Sequence, residues 1–325
     1  MAMGISCGSA VEVITEPSGR QGPCPAPPAG PSCAVASPDS GPGRPSGAVA
    51  GALLMILAVV CFTALDTILK HLVQRHDPWF LAFGRNLFQV LYLVALMPLF
   101  GARRMLTMKR PAVHVGRGAL LLLTTVFIVL ALRHLPMSQT YAITFSTPLI
   151  ATVLAALVLG EHPSLRRWLF IALGFGGVLV ALQPTAPEAG LHLLYPLGMA
   201  GANAVFHVLT RYAGRDEDPF ALLFYVAFFA LLFVAPALPW IWEAMTLAEW
   251  ALLALGGAFG TLAHLFLIEA FRRAPTAVVS PMIYTQIVSA MIFGFVVFGE
   301  IPTAATLLGA AIVAGSGIAL IRAKA

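Results

Sequence analysis

The chain has 325 residues, 59% of them hydrophobic and only 10% charged, with a net charge of +5. Soluble domains carry roughly one-quarter charged residues, so a water-soluble enzyme or a nucleic-acid-binding module is excluded. Continuous apolar runs such as "GALLMILAVVCFTALDTIL" approach the ~20 residues that a helix needs to cross a ~30 Å hydrocarbon core, whereas barrel strands alternate over segments of ~10 residues; the expected fold is an all-α polytopic membrane protein.

Residues 1–47 are rich in Pro, Gly and Ser and are expected to form a disordered cytoplasmic tail. They lack the apolar stretch of ~7–15 residues that a secretory signal requires. Cys7, Cys24 and Cys33 lie in this tail and Cys61 in the first apolar run, so no disulfide framework and no metal site are expected. Ten candidate spans follow, near residues 48–72, 80–100, 113–132, 137–159, 166–183, 192–211, 220–241, 249–271, 276–298 and 303–321. With the N-terminus inside, fourteen Lys and Arg residues fall in cytoplasmic segments and three, Lys70, Arg75 and Arg133, in outer loops. This bias predicts cytoplasmic N- and C-termini, and it accounts for the net charge without an acidic partner.

Two runs end alike, "VLGEHP" (158–163) and "VFGEIP" (297–302), 139 residues apart. At that shift residues 131–163 align with 270–302 without a gap, matching Arg133, Pro136, Gly160, Glu161 and Pro163 to Arg272, Pro275, Gly299, Glu300 and Pro302. A shift of 141 places "HDPWF" (76–80) on "EDPFA" (217–221). The expected organisation is therefore a first repeat over 48–184 and a second over 190–322. Five helices per repeat is an odd number, so the second is inverted, an arrangement that places a substrate site near the midplane between the halves. The Gly-Glu-x-Pro turns read as helix–helix connections, with Gly in the left-handed position and Pro in the first turn of the next helix.

Ionisable residues inside spans are expensive and so become site candidates. Asp66 and Lys70 are four apart on one helix face; pairing with each other or with Arg85, and recognition of a substrate charge, both stay open. Arg85 lies about two turns inside the second span. Glu269 precedes Arg272 and Arg273 by three and four residues, which allows intrahelical neutralisation. His264 falls near mid-membrane, where it can bind substrate, carry a coupling proton or make a structural hydrogen bond. Asn203 and His207 occupy the positions of Phe62 and Asp66 in the other half. Tyr141, Phe145 and Pro148 share one helix face and recur as Ser280, Tyr284 and Ile287, while Ser146 and Thr147 align with Thr285 and Gln286. Aromatic faces with hydroxyl and amide donors suit a flat organic solute or cation, and they also serve ordinary helix packing in lipid.

On these residues the chain resembles the drug/metabolite transporter superfamily, in its EamA-type branch, over residues 50–322. The run from Arg110 through Pro111, His114 and Arg117 to Gly118 is most similar to that of bacterial S-adenosylmethionine uptake transporters. The resemblance implies a secondary transporter in the bacterial inner membrane, working by alternating access without a cofactor, with S-adenosylmethionine as substrate. Export of amino acids or related metabolites, and riboflavin transport, are the alternatives. The substrate-site candidates are Asp66, Arg85, Tyr141, Phe145, Asn203, His207, His264, Glu269, Tyr284 and Gln286. No phosphate-binding loop or HExxH motif occurs. A membrane-embedded enzyme would need a nucleophile and base at one face, and His114, His134 and His192 fall in loops on both sides.

Overall fold

The computed structural model describes residues 45–159, 164–182, 190–213 and 217–322. The tail to residue 44, with its three cysteines, and Gly160, Glu161 and Pro163 of the first turn lie outside these residues. The first half comprises α1 (Pro45–Leu72), α2 (Pro78–Phe100), the short α3 (Ala102–Leu106), α4 (Pro111–His134), α5 (Met137–Thr144), α6 (Thr147–Leu159) and α7 (Leu165–Leu182). The second comprises α8 (Leu194–Ala213), α9 (Pro219–Val234), the short α10 (Leu238–Ile241), α11 (Leu247–Arg273), α12 (Thr276–Met282), α13 (Thr285–Phe298) and α14 (Ala304–Arg322). Among the described residues there is no strand. Among the same residues, seven helical segments are long and apolar enough to cross a membrane, and residues 168–181 and 304–319 form shorter apolar helices.

Local chemistry sets the starts of these helices. Pro78 and Pro219 open α2 and α9, where no amide hydrogen is needed. The carboxylates of Asp77 and Asp218 accept from the first free amides, Trp79 N at 2.8 Å and Phe220 N at 2.8 Å. Thr246 and Glu249 cap α11 reciprocally. At the end of α13, Gly299 takes φ +68°, and the turn brings Glu300 N within 3.0 Å of Gly294 O. Helix α14 then begins at Ala304, so Pro302 lies two residues ahead of the helix rather than within its first turn. The hydroxyl of Thr303 accepts from Thr306 N at 3.1 Å and does the capping instead.

The packing is that of an inverted repeat. Helix α1 lies on α11 as α8 lies on α4; α4 meets α9 as α11 meets α2; α6 meets α8 as α13 meets α1. Helices α7 and α14, equivalent in the two halves, pack on each other. The turns before α2 and α9 cross between halves. His76 lies 2.9 Å from Glu243 and 3.1 Å from Glu249, both at the approach to α11. Its equivalent, Glu217, accepts from Lys109 N and Arg110 N, each at 2.8 Å, and lies 3.3 Å from His114 of α4. Burial raises the Glu217 carboxyl, but these backbone donors and His114 outweigh it and hold the group below the ordinary glutamate value. Arg117 donates to Thr210 of α8 at 3.0 Å and to Leu222 O of α9 at 3.1 Å. The Arg-Pro-x-x-His-x-x-Arg-Gly run therefore fastens α4 to the opposite half.

Two expected spans, 137–159 and 276–298, are not continuous. Each divides into two helices, with breaks at 145–146 and 283–284, nearly in register under the 139-residue shift. Pro148 has no N–H for the Thr144 carbonyl four residues earlier, and Pro281 lies inside α12 just before the second break. Around the breaks the backbone tightens to three-residue bonds, Ser146 N to Ile143 O at 3.0 Å and Gln286 N to Ile283 O at 3.0 Å. Threonine hydroxyls serve the freed carbonyls: Thr147 donates to Thr144 O at 2.7 Å and Thr285 to Met282 O at 2.6 Å. Irregular backbone at membrane depth persists where such partners exist.

Candidate functional site

The paired breaks bring Phe145 and Tyr284, equivalent residues of the two halves, into contact with ring centroids 5.2 Å apart. Tyr284 reaches this position because position 317 of α14 is Gly; a Cβ there would lie 1.6 Å from the tyrosine hydroxyl. Tyr141, one turn before Phe145, has its ring 6.3 Å from it. The Tyr141 hydroxyl donates to the Asp66 carboxylate of α1 and accepts from Gln286 Nε2 of α13 at 3.2 Å. One hydroxyl thus joins three helices from both halves.

Arg85 of α2 is buried and donates to Thr125 Oγ1 of α4 at 2.7 Å, while its Nε has no hydrogen-bond partner. It lies close enough to Asp66 for their charges to interact, yet no ion pair joins them. Asp66 does not pair with Lys70 either, one of the readings their spacing left open. Each has another partner: Asp66 meets Tyr141, and Lys70 lies 2.5 Å from Glu300.

His264 of α11 approaches Gly260 O at 2.8 Å through Nδ1 and sets its ring edge against Phe62 of α1 at 4.9 Å. The contact is to its own helix rather than to a neighbour. With Nδ1–H donating, the neutral ring presents Nε2 as an acceptor. Arg85 is among the charges that act on it. On α8, Asn203 is half-buried and His207 exposed, with the His207 ring 5.8 Å from Phe206. Glu269 stands apart from this group: it is bound by Arg272 at 3.0 Å and Arg273 at 2.7 Å. It borders a groove of about 450 Å³ between α1, α2, α9 and α11, whose lining includes none of the other candidates.

Near the C-terminal end of α1 lies a second polar cluster. Lys70 Nζ donates to Leu135 O at 2.7 Å and pairs with Glu300, whose other carboxylate oxygen accepts from Met137 N at 2.8 Å. The clamp fastens the ends of α1 and α13 to the α4–α5 turn. Glu300 thus reaches back from the end of α13 to α1 and the α4–α5 turn. Three participants, Lys70, Thr125 and Glu300, are not among the substrate-site candidates, although Lys70 is singled out by its spacing from Asp66. Thr125 carried a signal, since it is the positional equivalent of His264, and Glu300 carried one as the second copy of a repeated acid.

The EamA-like transporter family matches residues 49–183 and 192–322. The S-adenosylmethionine uptake transporter of Rickettsia bellii (strain RML369-C) is 30% identical over 79% of this chain and 88% of its own length. The riboflavin transporter of Brucella anthropi is 28% identical over 72% of this chain and 85% of its own. The pseudopaline exporter CntI of Pseudomonas aeruginosa is 25% identical over 84% and 96%. A solved crystal structure with 18% identity covers 85% of this chain and 99% of its own at a TM-score of 0.60, a likeness of fold.

Proposed function

The chain belongs to the EamA-like transporter family, and from that premise we propose that it carries S-adenosylmethionine into the bacterial cell. It does so as a secondary transporter of the inner membrane, by alternating access, with both termini cytoplasmic. The observation that carries this reading is the polar cluster of Asp66, Tyr141 and Gln286 beside the paired helix breaks. Discontinuous helices at the interface of inverted repeats are where transporters of this construction bind their solutes.

The substrate is a sulfonium cation with a flat purine. Asp66 supplies a carboxylate for a positive group of the substrate; Glu269 is already neutralised by two arginines. Aromatic faces at Phe145 and Tyr284 suit both the purine and the cation. His264 is the candidate carrier of a coupling proton, since imidazole changes charge near neutral pH. The orientation rests on the fourteen-to-three distribution of Lys and Arg.

The test is uptake of labelled S-adenosylmethionine into proteoliposomes, challenged with unlabelled amino acids and riboflavin and repeated with an imposed pH gradient. Saturable uptake blocked only by its own unlabelled form is the expected result. Vesicles that accumulate riboflavin or an amino acid but not S-adenosylmethionine would overturn the substrate and keep the transporter.

A further inference from the structure

Asp66 and Arg85 are opposite charges within electrostatic reach of each other that do not pair. Each is held by a hydroxyl instead, Asp66 by Tyr141 and Arg85 by Thr125. Simple charge compensation would draw them into a direct salt bridge, which is the arrangement found at Lys70 and Glu300. A guanidinium has five N–H donors in a rigid fork; at Arg85, itself only 6% exposed, one hydroxyl is the recorded acceptor and Nε is left without any. A buried charge kept without a carboxylate is expensive, so the arrangement calls for a ligand that completes it.

We propose that Asp66 and Arg85 together form a clamp for the zwitterion of an α-amino acid, the α-ammonium on Asp66 and the α-carboxylate on Arg85. Arg is the side chain best fitted to grip a carboxylate through two parallel bonds. Tyr141 and Thr125 each hold one end, so neither charge is spent on the other. The remainder of such a ligand extends toward the Phe145–Tyr284 ring pair, the aromatic neighbour of Tyr141. Neutral flat solutes without an amino-acid head would leave both charges unsatisfied. This inference rests on the proposed substrate for its natural ligand, and it deepens that reading from one compound to a recognised group.

The experiment measures binding, so that direction and coupling do not enter. The purified protein in nanodiscs is incubated with labelled S-adenosylmethionine and competed with three relatives of it. S-adenosylhomocysteine keeps the zwitterion and lacks the sulfonium, the decarboxylated compound lacks the carboxylate, and methylthioadenosine lacks the whole head group. Loss of a charged hydrogen-bonded contact weakens binding by about tenfold or more, so the decarboxylated compound and methylthioadenosine should compete that much more weakly, and S-adenosylhomocysteine should compete well. Arg85→Gln should weaken S-adenosylmethionine by a similar factor and leave the decarboxylated compound unchanged. A decarboxylated compound that competes as well as S-adenosylmethionine on the unmodified protein would overturn the clamp, whatever the stability of the variant. If S-adenosylmethionine does not bind, labelled methionine is the second probe. Methionine binding that Arg85→Gln removes would keep the clamp and discard the substrate, and absence of both would discard both.

Discussion

Tyr141 does two things with a single hydroxyl, donating to Asp66 and accepting from Gln286. Tyr141→Phe keeps the ring and removes both bonds, and a hydrogen bond to a charged group contributes about 1.5–3 kcal/mol. Stability is therefore expected to fall by about that amount, read as a lower melting temperature in detergent, and substrate uptake in proteoliposomes is expected to weaken because Asp66 and Gln286 lose the group that positions them. Glu217 provides a pH test. Its folded carboxyl titrates below an unfolded one, so its stabilisation is fully present above the unfolded value of about 4.3 and is lost as pH falls through the folded value. In detergent, Glu217→Gln should melt lower than the natural protein at pH 7, and the gap should narrow as the pH falls below the ordinary glutamate value. Residue types in the site were legible because ionisable and aromatic groups in a hydrocarbon span stand out. Partners were not: the four-residue spacing of Asp66 and Lys70 is visible in the sequence, whereas the pairing of Lys70 with Glu300 depends on how distant helices meet.

At the scale of elements, the broken helices decide the shape of the site. Thr147 and Thr285 each cap a carbonyl released at a break. Thr147→Val is isosteric and leaves the Thr144 carbonyl unpaired, a change expected to destabilise the fold by about 1–3 kcal/mol. Thermal unfolding in detergent reads it. The clamp at the end of α1 is more strongly coupled. Lys70→Met strands the Glu300 carboxylate and should cost about 3–5 kcal/mol, whereas Lys70→Met with Glu300→Met removes both charges and should cost less. A double variant less stable than either single one would show that the two side chains act separately. The starts of α2, α9 and α11 could be read from Asp-Pro and the Thr-x-x-Glu box. The breaks could not be read from hydrophobicity, because α6 and α13 are apolar over most of their length. Pro148 and Pro281 were the available signals, and they fall at different offsets from their breaks.

For the whole molecule, the repeat carried most of the architecture in advance, since matched Arg, Gly, Glu and Pro at one constant shift imply two halves and an odd helix number implies inversion. Which helices meet could not follow from that shift alone; it took the swapped packing of α1 on α11 and α8 on α4. The turns before α2 and α9 show something further about that pairing. His76 finds acids on the other half, and Glu217 finds His114 and backbone amides on the first. The first half therefore brings basic groups to both junctions and the second half brings acidic ones. Two copies of the first half would set His76 against the neighbourhood of Arg104, Arg110 and His114, and two copies of the second would set Glu217 against Glu243 and Glu249. Like charges at a junction penalise the wrong partner. Cut between residues 184 and 190 and produced together, the halves should co-purify as a one-to-one pair, while either half made alone should not self-assemble. The two turns work as a mating code, by which a protein built on near-symmetry forbids itself from being symmetric.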